Sequence, residues 1–141
     1  MPLSRTALAI VAFAAVNGLV AQVLEAYAAH GLAEVAGDYA PTLYHTSAKY
    51  HMWHVLALLF VALIYDRVAV PVARWGLLAV VALFSVGTVA FSGGMYGVPF
   101  GGSVYYAVAG AILLQAGWAV FAASIIVALV RSGTAPARPA A

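Results

Sequence analysis

The chain alternates between long apolar runs and short polar connections. The apolar runs predict four membrane-spanning helices over residues 6–28, 41–65, 75–96 and 104–130. At about 1.5 Å rise per residue, each run is long enough to cross a hydrocarbon core of roughly 30 Å. Residues 75–130 contain no charged side chain, and the glycine- and proline-bearing stretch 97–103 divides them into two helices. The pattern therefore predicts an all-α, integral membrane four-helix bundle.

The main polar connection follows the first helix. Gly31 predicts the end of that helix, Gly37 a second break, and Pro41 the first turn of the next helix. We therefore expect a short, partly helical excursion between helices one and two. Residues 1–131 form one transmembrane domain in this interpretation, and the Ala/Pro-rich residues 132–141 are predicted to be a disordered tail.

Polar side chains within the first apolar run distinguish it from a cleaved signal peptide. Asn17, Gln22 and Glu25 interrupt what would be a smooth apolar core. At 100° per residue, one face of this helix carries Glu25 and four small residues: Ala7, Ala14, Gly18 and Ala21. Such a face suits close packing on another helix. We therefore expect a retained helix.

Composition supports the bilayer as the solvent. Charged residues make up 7% of the chain and hydrophobic residues 66%, whereas charged residues are roughly 25% of soluble domains. The formal net charge is +2, with no basic run, so nucleic-acid binding has no electrostatic support. The sequence has no cysteine, which excludes disulfides, iron–sulfur clusters and covalently attached haem.

Basic residues predict the orientation. The arginines precede the first helix, join the second to the third, or follow the fourth: Arg5, Arg67, Arg74, Arg131 and Arg138. Lys49, near Glu34 and Asp38, is the single basic residue on the other side. Because cytoplasmic loops carry the excess of Lys and Arg, we expect both termini to be cytoplasmic in a bacterial inner (plasma) membrane.

Four short motifs resemble, in order and spacing, a known family: Ala28-Ala29-His30-Gly31-Leu32, Tyr50-His51-Met52-Trp53-His54-Val55-Leu56-Ala57-Leu58-Leu59, Phe91-Ser92-Gly93-Gly94-Met95-Tyr96 and Gly117-Trp118. This is the YgdD-like family of small four-span membrane proteins of unknown function, which includes the eukaryotic transmembrane protein 256. The resemblance implies the architecture and supplies no activity. The chain departs from the family at Glu25, where glycine is usual, and at Ala107-Val108-Ala109-Gly110-Ala111, where the family has a Thr-Pro-x-Gly-Gly element.

The candidate site is a polar cluster near one membrane boundary, made of Glu25, His30, Tyr50, His51 and His54. One interpretation is an interfacial belt in which these side chains anchor the helices. A second is a metal or haem b site with His30, His51 and His54 as ligands. A third is a proton or small-molecule site. If the first helix starts at Thr6, Glu25 reaches the headgroup level and needs no partner. If the helix sits one turn deeper, we expect His54, His51 or Lys49 as the nearest partner, while His45 points elsewhere.

Small residues in the last two helices predict close packing rather than chemistry. Gly87, Ala90 and Gly94 share one face, as do Gly110 and Gly117. Ser92 is expected to bond back to a carbonyl of its own helix. A continuous polar path through the bundle is not visible in the sequence.

The functional prediction is a non-enzymatic accessory or assembly component of a membrane complex. No nucleophile, base and orienting group line up as an enzyme requires. The expected partners are the lipid bilayer and other membrane subunits, or a second copy of the chain. The alternatives are a metal- or haem-binding redox subunit that uses the histidine cluster, and a small permease or proton pathway.

Overall fold

The computed structural model describes residues 2–133. These residues form five α-helices and one 3₁₀ turn, with no strand: α1 (Arg5–His30), α2 (Leu32–Ala36), α3 (Ala40–Tyr65), α4 (Pro71–Gly97), the turn Val98–Phe100, and α5 (Val104–Gly133). Four of the helices, α1, α3, α4 and α5, are long and apolar enough to cross a membrane. The predicted all-α fold with four spans is confirmed.

Capping residues explain where the first helices begin and end. The hydroxyl of Ser4 accepts a hydrogen bond from the backbone N–H of Ala7 at 3.2 Å and caps α1. The helix ends at Gly31, and the short helix α2 follows as the partly helical excursion. Gly37 then turns the chain with a φ of 82°, a left-handed value that suits glycine.

Two element bounds differ from the sequence-based prediction. Helix α4 begins at Pro71 and not near Trp75, because a proline is tolerated in the first turn, where its missing N–H has no partner to lose. Helix α5 continues to Gly133 and so includes the first two residues of the predicted disordered tail. The rest of that tail, residues 134–141, lies outside the described residues.

Successive long helices are antiparallel and pack in the order α1–α3–α4–α5. The most extensive interface joins α4 to α5, and the described parts of α1 and α5 share no extensive contact, so the row of helices stays open. We call one end of the bundle the arginine end, because Arg5, Arg67, Arg74 and Arg131 lie there, and the opposite end the α2 end.

Glycines bring α4 and α5 into close contact at four successive levels. A Cβ atom on Gly117 would lie 2.6 Å from the ring of Phe84, and one on Gly87 would lie 2.8 Å from Leu114. At the other two levels the glycine meets backbone instead: Gly110 lies against the backbone of Phe91, and Gly94 against the backbone nitrogen of Ala107. Along α4, these contacts with α5 recur every three or four residues, so the two helices interdigitate. The predicted packing role of the four glycines is confirmed.

Alanines form the contact between α1 and α3. Ala7, Ala14, Ala21 and Ala28 recur every seven residues and are at most 5% exposed. Their small side chains let α1 lie close to the larger buried residues of α3. The bulky residues of α1 remain on the surface, among them Leu19 at 66% exposure. The small-residue face predicted for the first helix is therefore the face that packs.

The interior divides into an apolar half and a polar half. Toward the arginine end, the core consists of large apolar side chains from α3 and α4: Leu58, Val61, Leu77, Val80 and Phe84. Toward the α2 end, the buried residues include Tyr44, Ser47, His51, Thr88 and Ser92. The buried polar groups of α3 and α4 therefore lie mainly in the half of the bundle nearer to α2.

A hydrogen bond closes the arginine end. The backbone N–H of Ser4, which precedes α1, donates to Oδ2 of Asp66 at 2.7 Å, directly after α3. This bond, with a smaller contribution from Arg74, holds the pKa of Asp66 below its usual range. The guanidinium of Arg74 stacks over the ring of Tyr65 at 4.7 Å. The first contact joins segments that are distant in sequence, and the second spans the short loop between α3 and α4.

The glycine packing predicts opposite effects at two adjacent positions. At Gly94, an added methyl group would lie 2.6 Å from the backbone nitrogen of Ala107, whereas at Gly93 nothing lies within 4 Å. We expect Gly94→Ala to lower the free energy of unfolding by about 1–3 kcal/mol through overpacking. The matched control Gly93→Ala should be neutral or stabilising by up to about 1 kcal/mol, since alanine favours helix. Unfolding measured in detergent tests the pair, and equal effects would contradict the packing.

Candidate functional site

His54 contacts three helices, because both ring nitrogens are hydrogen-bonded and the ring itself packs on an aromatic side chain. Its Nδ1 lies 2.7 Å from the carbonyl oxygen of Tyr50, one turn earlier in α3. A carbonyl can only accept, so Nδ1 carries the proton and Nε2 accepts from the indole N–H of Trp118 in α5 at 3.3 Å. The ring also packs edge-on against Phe84 of α4, with centroids 5.2 Å apart. His54 is thus a fully bonded neutral imidazole with no lone pair left for a metal.

His51 joins α3 to α1 instead. The Asn17 side-chain amide donates from Nδ2 to the carbonyl oxygen of Phe13 at 2.9 Å, which directs its Oδ1 toward His51. The Nε2 of His51 donates to that oxygen at 3.2 Å. Its Nδ1 is therefore an acceptor, and it is buried without a partner. Of the two buried histidines, only His51 keeps a free lone pair.

Glu25 and His30 lie apart from these two histidines. Oε1 of Glu25 lies 2.7 Å from Nδ1 of His45, with both side chains about half exposed. The expected partners of Glu25 were His54, His51 or Lys49, and this expectation was wrong, because α1 and α3 are antiparallel and bring position 45 level with position 25. His30 is exposed at the last residue of α1, and no contact joins it to the buried histidines.

Tyr50 is the fifth residue of the predicted cluster. Its ring packs edge-on against Trp53 and Phe91, at centroid distances of 5.1 and 5.4 Å. The five predicted residues therefore fall into separate bonded groups instead of forming one site. Among residues 2–133, no group of three or more histidine, cysteine, aspartate or glutamate side chains is placed to hold a metal ion.

Polar side chains of α4 form a set that the sequence pattern did not single out as a site. Thr88, Ser92 and Tyr96 are spaced by four residues, lie on one buried face and are 9% exposed or less. They face Ser47 and His51 of α3, and we call these five residues the polar column. The four-residue spacing of these side chains is visible in the sequence. It indicates a site only when the structure shows that polar side chains of α3 lie opposite them.

Two contacts set the register of the polar column. The hydroxyl of Ser47 donates to the carbonyl oxygen of Ser92 at 3.2 Å. The rings of Tyr44 and Tyr96 lie 4.8 Å apart one level closer to the α2 end. The Ser92 hydroxyl itself is buried with no partner. The expected bond from Ser92 to a carbonyl of its own helix was therefore wrong.

A groove opens on the surface beside His54. It has a volume of about 290 Å³ and lies between α3, α4 and α5. Its lining is mostly apolar, with Phe91, Leu114 and Trp118 among its walls. Gln115 also lines it, near the middle of α5, and the amide of Gln115 has no hydrogen-bond partner among the described residues. The groove thus combines mostly apolar walls with the unpaired amide of Gln115 at membrane depth.

The four apolar spans and the polar residues enclosed between them define a small four-span integral membrane protein. Residues 24–109 match the family described as "Protein of unknown function (DUF423)", and the chain belongs to this family. The resemblance noted in the sequence is thereby confirmed at the level of a small membrane protein family without an established activity.

A curated relative supports the same conclusion. The "UPF0382 membrane protein YwdK" of Bacillus subtilis (strain 168) is 39% identical over 75 residues, which are 50% of this chain and 61% of the relative. The chain thus spans about three fifths of the length of the curated relative that it matches. No solved structure matches the chain significantly.

The bond between His54 and Trp118 predicts a measurable coupling. Trp118→Phe keeps an aromatic ring but leaves Nε2 of His54 unpaired, so we expect the free energy of unfolding to fall by about 1–3 kcal/mol. Trp75, which is 72% exposed, offers a matched control, and Trp75→Phe should have little effect. In a double-mutant cycle with His54→Leu, the two losses should be less than additive. Strictly additive losses would show that the bond is absent.

Proposed function

We propose that this protein is a non-enzymatic accessory or assembly component of a membrane complex. Its site of action in this proposal is the bacterial plasma (inner) membrane, with both termini in the cytoplasm. The orientation rests on the arginine end, which holds the four described arginines, whereas the α2 end carries Glu34, Asp38 and Lys49. Basic residues accumulate on the cytoplasmic side of membrane proteins.

The observation that carries the proposal is the amide of Gln115. Hydrocarbon offers no hydrogen-bond partner, so a polar side chain at membrane depth normally bonds to another helix. Gln115 lies on the exposed side of α5, turned toward the groove beside His54 and Trp118. A polar group on the transmembrane helix of another protein would pair with this amide, while apolar side chains of the same helix would fill the groove.

The open row of helices supports the same proposal. In a closed bundle, α1 and α5 would cover one another, whereas here only 22% of an 18-residue apolar segment of α1 and 17% of one in α5 are buried. Apolar side chains alone need only lipid. A wide exposed face that also contains Gln115 is better suited to a neighbouring protein.

The alternative functions receive less support from the geometry. A redox subunit would need His30, His51 and His54 around one metal or haem, but His54 has both nitrogens bonded and His30 lies apart at the exposed end of α1. A permease would need polar groups along the whole interior, and the polar column ends at Thr88, before the apolar side chains of Phe84 and Val80.

Photo-cross-linking in membranes tests the accessory role. A photoreactive amino acid replaces Gln115 in one variant and Val86 in the other. Val86 is the matched control, since the antiparallel register of α4 and α5 places it at the same depth, and it is 58% exposed. We expect a discrete adduct with a different membrane protein at position 115 and lipid adducts alone at position 86.

Two results would contradict the proposal. Lipid adducts alone at both positions would show that the groove faces the bilayer. An adduct of two copies of this chain would replace the accessory role with self-association. Where a partner protein is captured, Gln115→Leu should weaken its co-purification, because the polar anchor is lost while the apolar surface remains.

A further inference from the structure

Five buried polar atoms in one region lack a hydrogen-bond partner. They come from α1, α3 and α4, and they are the only such atoms among the described residues: Oε2 of Glu25, Nδ1 of His51, Oγ1 of Thr88, Oγ of Ser92 and the hydroxyl of Tyr96. Buried polar groups in folded proteins are nearly always bonded to protein or to ordered water. A concentration of five in one half of a small bundle therefore indicates a specific cause.

The unpaired atoms are chemically complementary. Thr88, Ser92 and Tyr96 offer hydroxyl groups that can donate. His51 offers a lone pair, because its proton is used in the bond to Asn17, and Glu25 offers a carboxylate oxygen. Donors and acceptors are both present, yet none is bonded to another. A small molecule that both donates and accepts would satisfy all five.

The polar column sets the length of the region. Thr88 and Tyr96 are eight residues apart on α4, which corresponds to about 12 Å along the helix. Ser47 lies level with Ser92, so α3 lines the column between its ends. From Thr88 toward the arginine end, the fully buried side chains of Phe84 and Val80 fill the interior. The region thus reaches the middle of the bundle and stops.

Glu25 lies at the mouth of the column. Its Oε1 is bonded to the half-exposed His45, in a surface groove of about 240 Å³ that Lys49 and Gln22 also line. Its Oε2 is buried on the other side of the same carboxylate. The Tyr96 hydroxyl lies near the hydroxyl of Ser47, whose own hydrogen bond goes to the Ser92 carbonyl, and it is also within electrostatic reach of the Glu25 carboxylate. One side chain therefore touches both the aqueous surface and the interior.

We propose that the polar column binds a chain of ordered water molecules, which enters beside Glu25 and ends at Thr88. A buried water makes about three hydrogen bonds, so roughly two or three waters satisfy the five atoms. The site is a hydrated pocket that opens at the α2 end and is closed beyond Thr88, so it is not a path across the membrane. It connects His51, deep in the bundle, with the aqueous surface on which Glu25 and His45 lie.

The sign of a stability change tests this inference. Thr88→Val keeps the shape of the side chain and removes only the hydroxyl. If that hydroxyl is bonded to water, its removal lowers the unfolding temperature by a few degrees. If it is dry and unpaired, its removal raises the unfolding temperature. Tyr96→Phe makes the same comparison at the mouth, and Tyr105→Phe, at a residue 80% exposed, is the matched control.

The result at Thr88 decides the question, because Thr88 lies at the closed end of the column. We expect lower unfolding temperatures for both Thr88→Val and Tyr96→Phe, and an unchanged one for Tyr105→Phe. A higher unfolding temperature for Thr88→Val overturns the inference, whatever happens at Tyr96, because water then fails to reach the end of the column.

A measurement on the unsubstituted protein provides an independent test. Solid-state NMR in phospholipid bilayers detects transfer of magnetisation from water to nearby side chains. We expect transfer to His51 and Thr88 and none to Val80, which is fully buried on the same helix as Thr88, about two turns nearer the arginine end. Equal transfer to Thr88 and Val80 would overturn the inference. Neither test depends on a protein partner, so this inference and the accessory role can fail separately.

Discussion

The close contact between α4 and α5 is the constraint on which the rest of the structure depends. Glycine on one helix meets a large side chain or the backbone of the other at four levels, which fixes both the distance and the rotation of α5. With Gly117 seated against Phe84, the neighbouring Trp118 lies over the same ring, at 5.1 Å between centroids. The Trp118 indole N–H thereby reaches His54 on α3. The packing of α5 on α4 thus positions the hydrogen bond between α5 and α3.

The bilayer explains why the histidines act as they do. Hydrocarbon cannot hydrogen-bond, so polar groups within a span must pair inside the protein. His54 and His51 do this in different directions, one toward α5 and the other toward α1, and together they tie α3 to both outer helices. The same requirement makes the unpaired atoms around Thr88 and Tyr96 unusual. The requirement also distinguishes His54, whose two ring nitrogens are both bonded, from His51, whose Nδ1 keeps an unpaired lone pair.

The sequence was sufficient for the spans and for the small-residue faces. Apolar length sets the number of helices, and the spacing of Ala7, Ala14 and Gly94 follows directly from helix geometry. The partners of polar side chains could not be predicted in the same way. Pairing of Glu25 with His45 depends on the register between α1 and α3, which no local pattern encodes. The role of Ser92 depends on Ser47, 45 residues away.

His51 and His54 of α3 join neighbouring helices through their ring nitrogens, and this is the central claim to test. Elemental analysis and an ultraviolet–visible spectrum of gently purified protein, beside the His54→Ala variant, test it most directly. We expect no stoichiometric metal and no haem absorption in either sample, with a lower unfolding temperature in the variant. A stoichiometric metal or a haem band that disappears in His54→Ala would contradict it.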